Sequence, residues 1–191
     1  MKKIHSFDEV FDGQKVFRIV LEAMSNPGRM LSINEYAEKL FGNNKLFLAL
    51  AMTLLDNEVT FCTCGNEELA EDISLLTLSK KASLEKANYI FVEEPRILES
   101  VFEKAMCGTL ENPHCSATII VKVKDEATAS LNIYGAGIDG VAQIFVEDTV
   151  NKVLDLRDAQ EYEYPQGTDI IFVTEKGKIF SIPRLVLREE K

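Results

Sequence analysis

The chain has 191 residues, of which 46% are hydrophobic and 27% charged, and its formal net charge is −10. This balance is typical of a globular protein with a sizeable core, and it excludes an intrinsically disordered chain. The acidic excess argues against a nucleic-acid-binding protein, which needs a basic face to meet phosphates. We find no signal peptide, and the longest apolar run is too short to span a bilayer. We therefore expect one cytoplasmic domain over residues 1–191.

The first predicted helix covers residues 14–25, where apolar side chains recur at helical spacing. Its predicted buried face consists of Phe17, Val20, Leu21 and Met24. Asp12 is the predicted N-cap, and the Pro-Gly pair at residues 27–28 ends the helix. Arg18 lies on the other face, four residues before Glu22, a spacing that favours a weak ion pair.

The rest of the chain alternates between predicted helices and strands. Ser32 and Glu35 have the spacing of a capping box for a short helix that ends near Gly42, and residues 45–55 predict a buried helix. Further helices are predicted at 67–78, 96–106 and 147–159, and strands at 59–64, 87–92, 117–123, 129–135 and 141–146. The strands at 117–123 and 129–135 are joined by a short acidic turn and predict a hairpin. The alternation predicts an α/β single-domain layered sandwich, in which helices flank a mixed β-sheet.

A closing hairpin is predicted at residues 164–184, and its register can be derived. Residues 175–177 fit a three-residue loop with the final glycine in the left-handed conformation. Counting outward pairs Asp169 with Pro183, and apolar residues on both faces indicate a strand pair that is covered on both sides. Asp169 and Arg184 therefore meet at the open end. Because a regular register points them to opposite faces, a direct ion pair requires a break at Pro183.

Other motifs give no catalytic site. Residues 135–140 match Gly-x-Gly-x-x-Gly, but a strand is predicted to follow, so we favour a glycine-rich turn over a dinucleotide site. The four cysteines are Cys62, Cys64, Cys107 and Cys115. Their spacing does not fit a zinc site, even with His114 beside the last one, so we interpret them as reduced core thiols. With two histidines and no nucleophile elbow or P-loop, the chain holds no self-sufficient catalytic set.

A series of short motifs resembles a known family. They are Q-x-x-F-R-x-x-L-x-A-M-S-x-P-G at 14–28, TLLDN at 53–57, CGT at 107–109, SAT at 116–118, YGAGI at 134–138, YPQGTDIIF at 164–172 and IPR at 182–184. In this order and spacing they resemble the PhnH family, the H subunit of the bacterial carbon–phosphorus lyase system. Between about residues 64 and 106 the chain is similar only in its hydrophobic pattern.

The resemblance implies a fold like the large domain of pyridoxal-phosphate-dependent transferases without the cofactor site, so no cofactor and no metal are expected. It implies a homodimer that joins the G, I and J subunits in a core complex for phosphonate breakdown. The G, H, I and L proteins of that system are implicated in coupling an alkylphosphonate to the ribose of ATP, with release of adenine. We therefore expect a non-catalytic or accessory subunit of a multi-subunit transferase.

The motif positions also supply candidates for ligand or partner contacts. These are Gln14, Arg18, Asp56, Asp169 and Arg184. Either arginine could bind a phosphate or phosphonate through its planar fork, with Asp169 holding it in place. The alternative, which we favour, is that these residues fix the fold as hydrogen-bond partners. His114 and Leu185 depart from the family pattern, which commonly has an acid and a threonine at these positions.

A second function stays open at this point. The chain could be a free-standing small enzyme or a phosphate- or phosphonate-binding protein with a pocket near Arg18, Asp169 and Arg184. A deep, closed pocket joining these residues would favour that function. A broad, flat patch near them would favour the accessory subunit.

Overall fold

A computed structural model describes residues 5–189, so the ends of the predicted domain, 1–4 and 190–191, lie outside it. The helices are α1 (Phe11–Ser25), α2 (Asn34–Ala37), α3 (Lys45–Leu54), α4 (Glu67–Thr77), α5 (Leu98–Lys104) and α6 (Asp148–Asp158). The strands are β1 (Leu31–Ser32), β2 (Thr60–Cys62), β3 (Lys80–Lys81), β4 (Tyr89–Val92), β5 (Thr118–Val123), β6 (Ala129–Gly135), β7 (Val141–Val146), β8 (Asp169–Thr174), β9 (Lys178–Ile182) and β10 (Val186–Arg188). Within the described range, no helix is long and apolar enough to cross a membrane.

The main sheet has seven strands in the order β1-β9-β8-β5-β4-β2-β3. Strands β3, β2, β4, β5 and β8 are parallel, whereas β9 is antiparallel to β8. Parallel neighbours need crossover connections, which place helices on the faces of the sheet. The predicted α/β architecture with a mixed sheet flanked by helices is confirmed.

Both faces of the main sheet are covered by hydrophobic side chains. Ile171 and Val173 of β8 pack into a cluster with residues of α1, α3 and α4. Ile170 and Phe172, which alternate with them, pack on the opposite face with residues of α5 and α6. Side chains alternate across a strand, so β8 contributes to both halves of the core.

The closing hairpin has the predicted register. Ile170 pairs with Ile182, and Phe172 pairs with Phe180. Gly177 has φ 76°, the left-handed conformation that the three-residue loop requires. The turn chemistry therefore sets which residues face each side of the core.

A second sheet corrects the prediction for the middle of the chain. Its order is β10-β6-β7, and β6 pairs with β7 and β10 instead of forming a hairpin with β5. The physical reason is that β5 already lies between β4 and β8, so neither of its edges is free for β6. Residues 136–140 form the predicted glycine-rich turn between β6, which ends at Gly135, and β7, and no helix begins there.

Helix α1 differs from its prediction at its start and in its buried face. The Asp8 carboxylate accepts hydrogen bonds from the backbone N–H groups of Val10 and Phe11, at 2.9 and 2.7 Å, so Asp8 and not Asp12 caps the helix. The residues that α1 buries are Asp12, Gly13, Val16, Val20 and Ala23. Phe17 is 49% and Leu21 is 54% exposed, although the spacing predicted both in the core.

Three further local predictions are wrong. The Ser32 hydroxyl accepts from the backbone N–H of Asn34 at 3.3 Å, so the predicted capping box with Glu35 does not form. Helix α2 is only four residues long and ends at Ala37, before the predicted end near Gly42. Glu22 pairs with Arg29 at 2.7 Å and not with Arg18, because the chain turns back after α1.

Candidate functional site

Asp169 and Arg184 form an ion pair at the open end of the hairpin. The Arg184 backbone N–H and Nε donate to Asp169 Oδ1 at 2.9 and 3.2 Å, and Nη2 lies 2.5 Å from Oδ2. Strand β9 ends at Ile182, so Pro183 and Arg184 leave the regular register. The break that the sequence required for a direct pair is present.

The pair joins three motif segments that are far apart in the chain. Arg184 Nη1 donates to the carbonyl of Pro113 at 2.6 Å. The Gly167 N–H donates to the carbonyl of Cys107 at 2.8 Å, and Gln166 Nε2 donates to the carbonyl of Gly108 at 3.0 Å. We call this arrangement of Asp169, Arg184 and residues 107–108, 113 and 166–167 the hairpin-base cluster.

Gly167 allows the close packing inside this cluster. Its φ of 135° is one that residues with a Cβ rarely adopt. A Cβ at this position would lie 3.2 Å from both Arg184 Cβ and the ring of Tyr162. The backbone conformation therefore favours glycine, and a Cβ would in addition press against both neighbours.

The geometry of Arg184 limits what it can bind. A guanidinium can bind a phosphate through two of its nitrogen atoms at once. In Arg184, Nε and Nη2 both donate to the Asp169 carboxylate instead. The side chains of both residues are only 17% exposed. This arrangement positions the loops around the hairpin end, and it does not present a free guanidinium fork to solvent.

An open groove of about 600 Å³ lies beside the cluster. Its lining residues are Glu99, Phe102, Glu103, Cys107, Leu156, Ala159, Gln160, Glu161, Tyr162 and Gln166. Burial raises the pKa of Tyr162 and that of the Cys107 thiol, so both groups are protonated at neutral pH. The groove thus offers three carboxylates and neutral groups, which does not favour an anionic ligand.

Arg157 is a buried charge that the sequence interpretation missed. It is 2% exposed, and its Nε donates to Asp158 Oδ1 at 2.9 Å. Its Nη1 has no hydrogen-bond partner among residues 5–189. The sequence did indicate this burial. Arg157 follows Val150, Val153 and Leu154 at the spacing of the buried face of α6.

Gln14 and Arg18 lie on the exposed side of α1. Phe17 and Leu21 lie on the same side, and Val10 and Phe11 are more than 70% exposed at its start. Among the described side chains, Arg18 forms no ion pair with an acidic residue. We call Val10, Phe11, Gln14, Phe17, Arg18 and Leu21 together the α1 surface.

The structure places Asp56 apart from the other candidates. It follows α3, and its Oδ1 accepts from the backbone N–H of Glu58 at 2.8 Å. Burial raises the pKa of Tyr89, with a smaller contribution from the Asp56 charge. Asp56 therefore shapes the turn that leads into β2, on a different element from Asp169 and Arg184.

The four cysteines are free thiols. Cys115 is exposed, which corrects its prediction as a core residue, and the other three are partly buried. His114 lies in a short 3-10 helix, Pro113–Cys115. In the part of the chain that the structure describes, no three His, Cys, Asp or Glu side chains are grouped to hold a metal.

Comparison with known proteins gives the family. Residues 5–187 match the family model described as bacterial phosphonate metabolism protein (PhnH). A provisionally named C-P lyase subunit protein, HtxG, of Stutzerimonas stutzeri is 27% identical over 162 residues, which cover 84% of this chain and 78% of HtxG. The alpha-D-ribose 1-methylphosphonate 5-triphosphate synthase subunit PhnH of Rhizobium meliloti (strain 1021) is 23% identical over 189 residues, 96% of this chain and 94% of that protein. The chain belongs to the PhnH family of bacterial phosphonate metabolism proteins.

Proposed function

We propose that the chain is a non-catalytic, accessory subunit of a carbon–phosphorus lyase system. In this proposal it is needed when an alkylphosphonate is joined to the ribose of ATP and adenine is released. Its family supports this role, because one relative is named as a subunit of a ribose 1-methylphosphonate triphosphate synthase and another as a C-P lyase subunit. The chain acts by assembly and shapes the site of a partner.

The α1 surface is the observation that carries this proposal. Four residues of the family motif, Gln14, Phe17, Arg18 and Leu21, are exposed and therefore do not serve the core. Aromatic, aliphatic and arginine side chains side by side are typical of the centre of a protein interface. We propose that this surface contacts another subunit of the complex.

The proposed partners are the G, I and J subunits, in the cytoplasm, and the isolated chain is proposed to be a homodimer. The outer face of the second sheet suits the dimer contact, because Tyr134, Val141, Phe145 and Leu187 are exposed there. Strand β7 has no neighbour on its outer edge within the described range, and such an edge pairs readily with a second copy. We also propose that the chain is a single domain. Its fold is proposed to be similar to the large domain of pyridoxal-phosphate-dependent transferases, without the cofactor site.

The candidate residues divide between two roles in this proposal. Asp169 and Arg184 hold the hairpin-base cluster together and have a positioning role. Gln14 and Arg18 contact the partner, and Asp56 shapes its own turn. A free-standing anion-binding protein is less favoured for two reasons. Arg18 lies on a different element from the Asp169–Arg184 pair, and the guanidinium of Arg184 already donates to the Asp169 carboxylate.

Co-purification tests the assembly role. Tagged protein would be recovered from its own host, grown with a phosphonate as the sole phosphorus source. The proposal predicts stoichiometric recovery of G- and I-type subunits. Recovery of the chain alone, with those subunits present in the lysate, would contradict it and would direct ligand screening to the groove beside the hairpin-base cluster.

A further inference from the structure

A small cavity lies where the first turn of α3 meets the carboxyl ends of β5 and β8. Its volume is about 250 Å³, and its lining residues are Asn43, Asn44, Lys45, Leu46, Phe47, Lys122, Val173 and Glu175. Lys122 pairs with Val173, and each is the next-to-last residue of its parallel strand. In α/β sheets, ligands bind beyond the carboxyl ends of the strands. We call this space the α3 cavity, and it lies at the other end of β8 from Asp169.

The first turn of α3 supplies hydrogen-bond donors beside this cavity. The first N–H groups of a helix have no carbonyl partner within the helix, and the helix dipole makes this end positive. In α3, the preceding residue forms no side-chain cap, and no acidic residue lies in the first turn. Among residues 5–189, the N–H groups of Lys45, Leu46 and Phe47 have no acceptor. A helix end of this kind is suited to an oxyanion.

Asn44 adds a buried donor without an acceptor. The residue is only 8% exposed, and it lines the α3 cavity. Its Oδ1 accepts from Asn66 Nδ2 at 3.4 Å, whereas its own Nδ2 donates to no acceptor within the described range. A buried N–H group without a partner is costly, and such groups are rare unless a water molecule or a ligand satisfies them. Asn44 therefore indicates, independently of the helix end, that the cavity holds a hydrogen-bond acceptor.

Two lysines give the lining of the cavity its charge. Lys45 Nζ lies 2.5 Å from Glu38 Oε1, and Lys122 Nζ lies 2.9 Å from Glu93 Oε1. An ammonium group has three N–H donors, so these ion pairs leave donors for a ligand. Among the lining residues, Glu175 is the one carboxylate, and it is exposed. The lining therefore combines two positive side chains and the positive end of a helix with one negative side chain.

We propose that the α3 cavity binds a small tetrahedral oxyanion, a phosphate or a phosphonate group, which is a property beyond the proposed assembly role and independent of it. The oxygens of the anion accept from the N–H groups of residues 45–47 and from Asn44 Nδ2. The ammonium groups of Lys45 and Lys122 neutralise its charge. The cavity is smaller than the about 300–1,000 Å³ of pockets that enclose larger ligands, so it suits a single head group.

The test is a nuclear magnetic resonance titration of the isotope-labelled full chain with sodium phosphate near neutral pH, at an ionic strength held constant with sodium chloride. We expect saturable shifts of the backbone amides of residues 45–47 and of the side-chain amide of Asn44. Shifts that chloride alone reproduces, or saturable shifts elsewhere with none at residues 44–47, would overturn the proposal. Because the isolated chain is used, the result does not depend on whether the chain joins partner subunits.

Variants of two lysines locate the charge that holds the anion. Lys122→Met should weaken phosphate binding roughly tenfold, because it removes a charged donor from the lining. Lys81→Met is the matched control, since Lys81 forms a 2.9 Å ion pair with Glu67 outside the cavity, and it should bind phosphate as the wild type does. Equal affinities of Lys122→Met and the wild type would contradict the site.

Glu175→Gln tests the same site without a change in the core, because Glu175 is exposed. It removes the one carboxylate of the lining, so this variant should bind phosphate more tightly than the wild type. An unchanged or weaker affinity would contradict the site.

A second titration with methylphosphonate distinguishes two sources of the same chemistry. Binding of inorganic phosphate at least as tight as that of methylphosphonate would identify the free ion as the ligand. Tighter binding of methylphosphonate would identify an organic phosphonate, whose carbon substituent is suited to the apolar lining at Phe47 and Val173. Binding of neither probe would overturn the proposal.

Discussion

Asp169 connects the closing hairpin to the loops that the family motifs mark. Its carboxylate holds the backbone and the guanidinium of Arg184, and Arg184 in turn holds the carbonyl of Pro113. Both side chains are largely buried, so the loss of either leaves a charged group without its partner. The Asp169–Arg184 pair therefore contributes to the stability of the fold and positions the loops of the hairpin-base cluster.

We predict that Asp169→Ala lowers the free energy of unfolding by about 2 kcal/mol, since it removes charge-assisted hydrogen bonds and leaves the Arg184 N–H unpaired. Urea denaturation of the purified protein measures the change. Glu94→Ala is the matched control, because Glu94 pairs with Arg96 at the surface and should cost less than about 0.5 kcal/mol. If Asp169→Ala kept full stability and assembly while complex activity vanished, the positioning role would be wrong.

The stability of the amino end of α1 depends on pH because of the carboxylate of Asp12. The Asp8 N–H donates to its carboxylate at 2.8 Å, and Lys39 Nζ lies 2.6 Å away. The N–H and the lysine lower the pKa of Asp12 below its ordinary value. Because the folded-state pKa is depressed, this stabilisation is present above the unfolded pKa of about 4 and is lost as pH falls through the folded value.

We therefore predict that Asp12→Asn destabilises the protein at neutral pH and that the difference from wild type shrinks between about pH 5 and pH 3. Urea midpoints of both proteins across this range measure the effect. A difference that stays constant down to pH 3 would show that the carboxylate charge does not stabilise the fold. Lys39→Met, which removes the other partner, should show the same trend.

At the scale of elements, α1 carries two apolar stripes, and only one of them serves the core. Val16, Val20 and Ala23 are buried, whereas Phe17 and Leu21 are exposed. Exposed aromatic and aliphatic side chains in a row mark an interaction surface rather than a packing surface. The helix therefore has an inner role in this chain and an outer role in the proposed assembly.

We predict that the double variant Phe17→Ser, Leu21→Ser keeps the stability of the wild type within about 1 kcal/mol, because both side chains are already exposed. Its affinity for the partner should fall by at least about tenfold, as expected when central interface side chains are removed. Co-purification yield and urea denaturation check both parts. Leu75→Ser is the control, since Leu75 is 66% exposed on α4, outside the α1 surface. Unchanged recovery of partners would remove α1 from the interface.

The elements also show what the sequence can and cannot predict. The register of the closing hairpin follows from local turn chemistry around Gly177, so it was predicted correctly. The partner of β6 depends on β4 and β8 already occupying both edges of β5, which is a tertiary constraint. The buried face of α1 was mispredicted because apolar residues lie on both sides of the helix, and periodicity alone does not choose between them.

The candidate site was predictable to a similar extent. The hairpin register predicts that Asp169 and Arg184 lie near each other at the open end. A regular register points them to opposite faces, so it does not predict the break at Pro183 that allows the direct pair. The contacts of Arg184 with Pro113 and of Gly167 with Cys107 join segments more than 50 residues apart, and no local pattern in the chain indicates them. Arg157 shows the reverse case, since its place on the buried face of α6 was visible in the spacing.

At the scale of the whole molecule, the surfaces to which we assign different roles lie on different elements. The hairpin-base cluster lies at the amino end of β8, where Asp169 begins the strand. The α1 surface and the outer face of the second sheet are separate apolar surfaces on different elements. This separation leaves one surface for a partner subunit and another for a second copy.

We predict that the isolated protein is a dimer and that Phe145→Ser makes it a monomer, because Phe145 is 61% exposed on β7, an edge strand of the second sheet within the described range. Size-exclusion chromatography with light scattering measures the mass. The double variant on the α1 surface should stay dimeric in the same measurement. A dimeric Phe145→Ser protein would move the dimer contact away from the second sheet.

The most direct measurement of the assembly role is adenine release in a reconstituted system. The other subunits of the complex would be purified without this chain and supplied with ATP and an alkylphosphonate. We predict that adenine is released when the chain is added back, and that neither the chain alone nor the Phe17→Ser, Leu21→Ser variant supports release. Release by the isolated chain, or full release by the other subunits without it, would contradict an accessory subunit that acts by assembly.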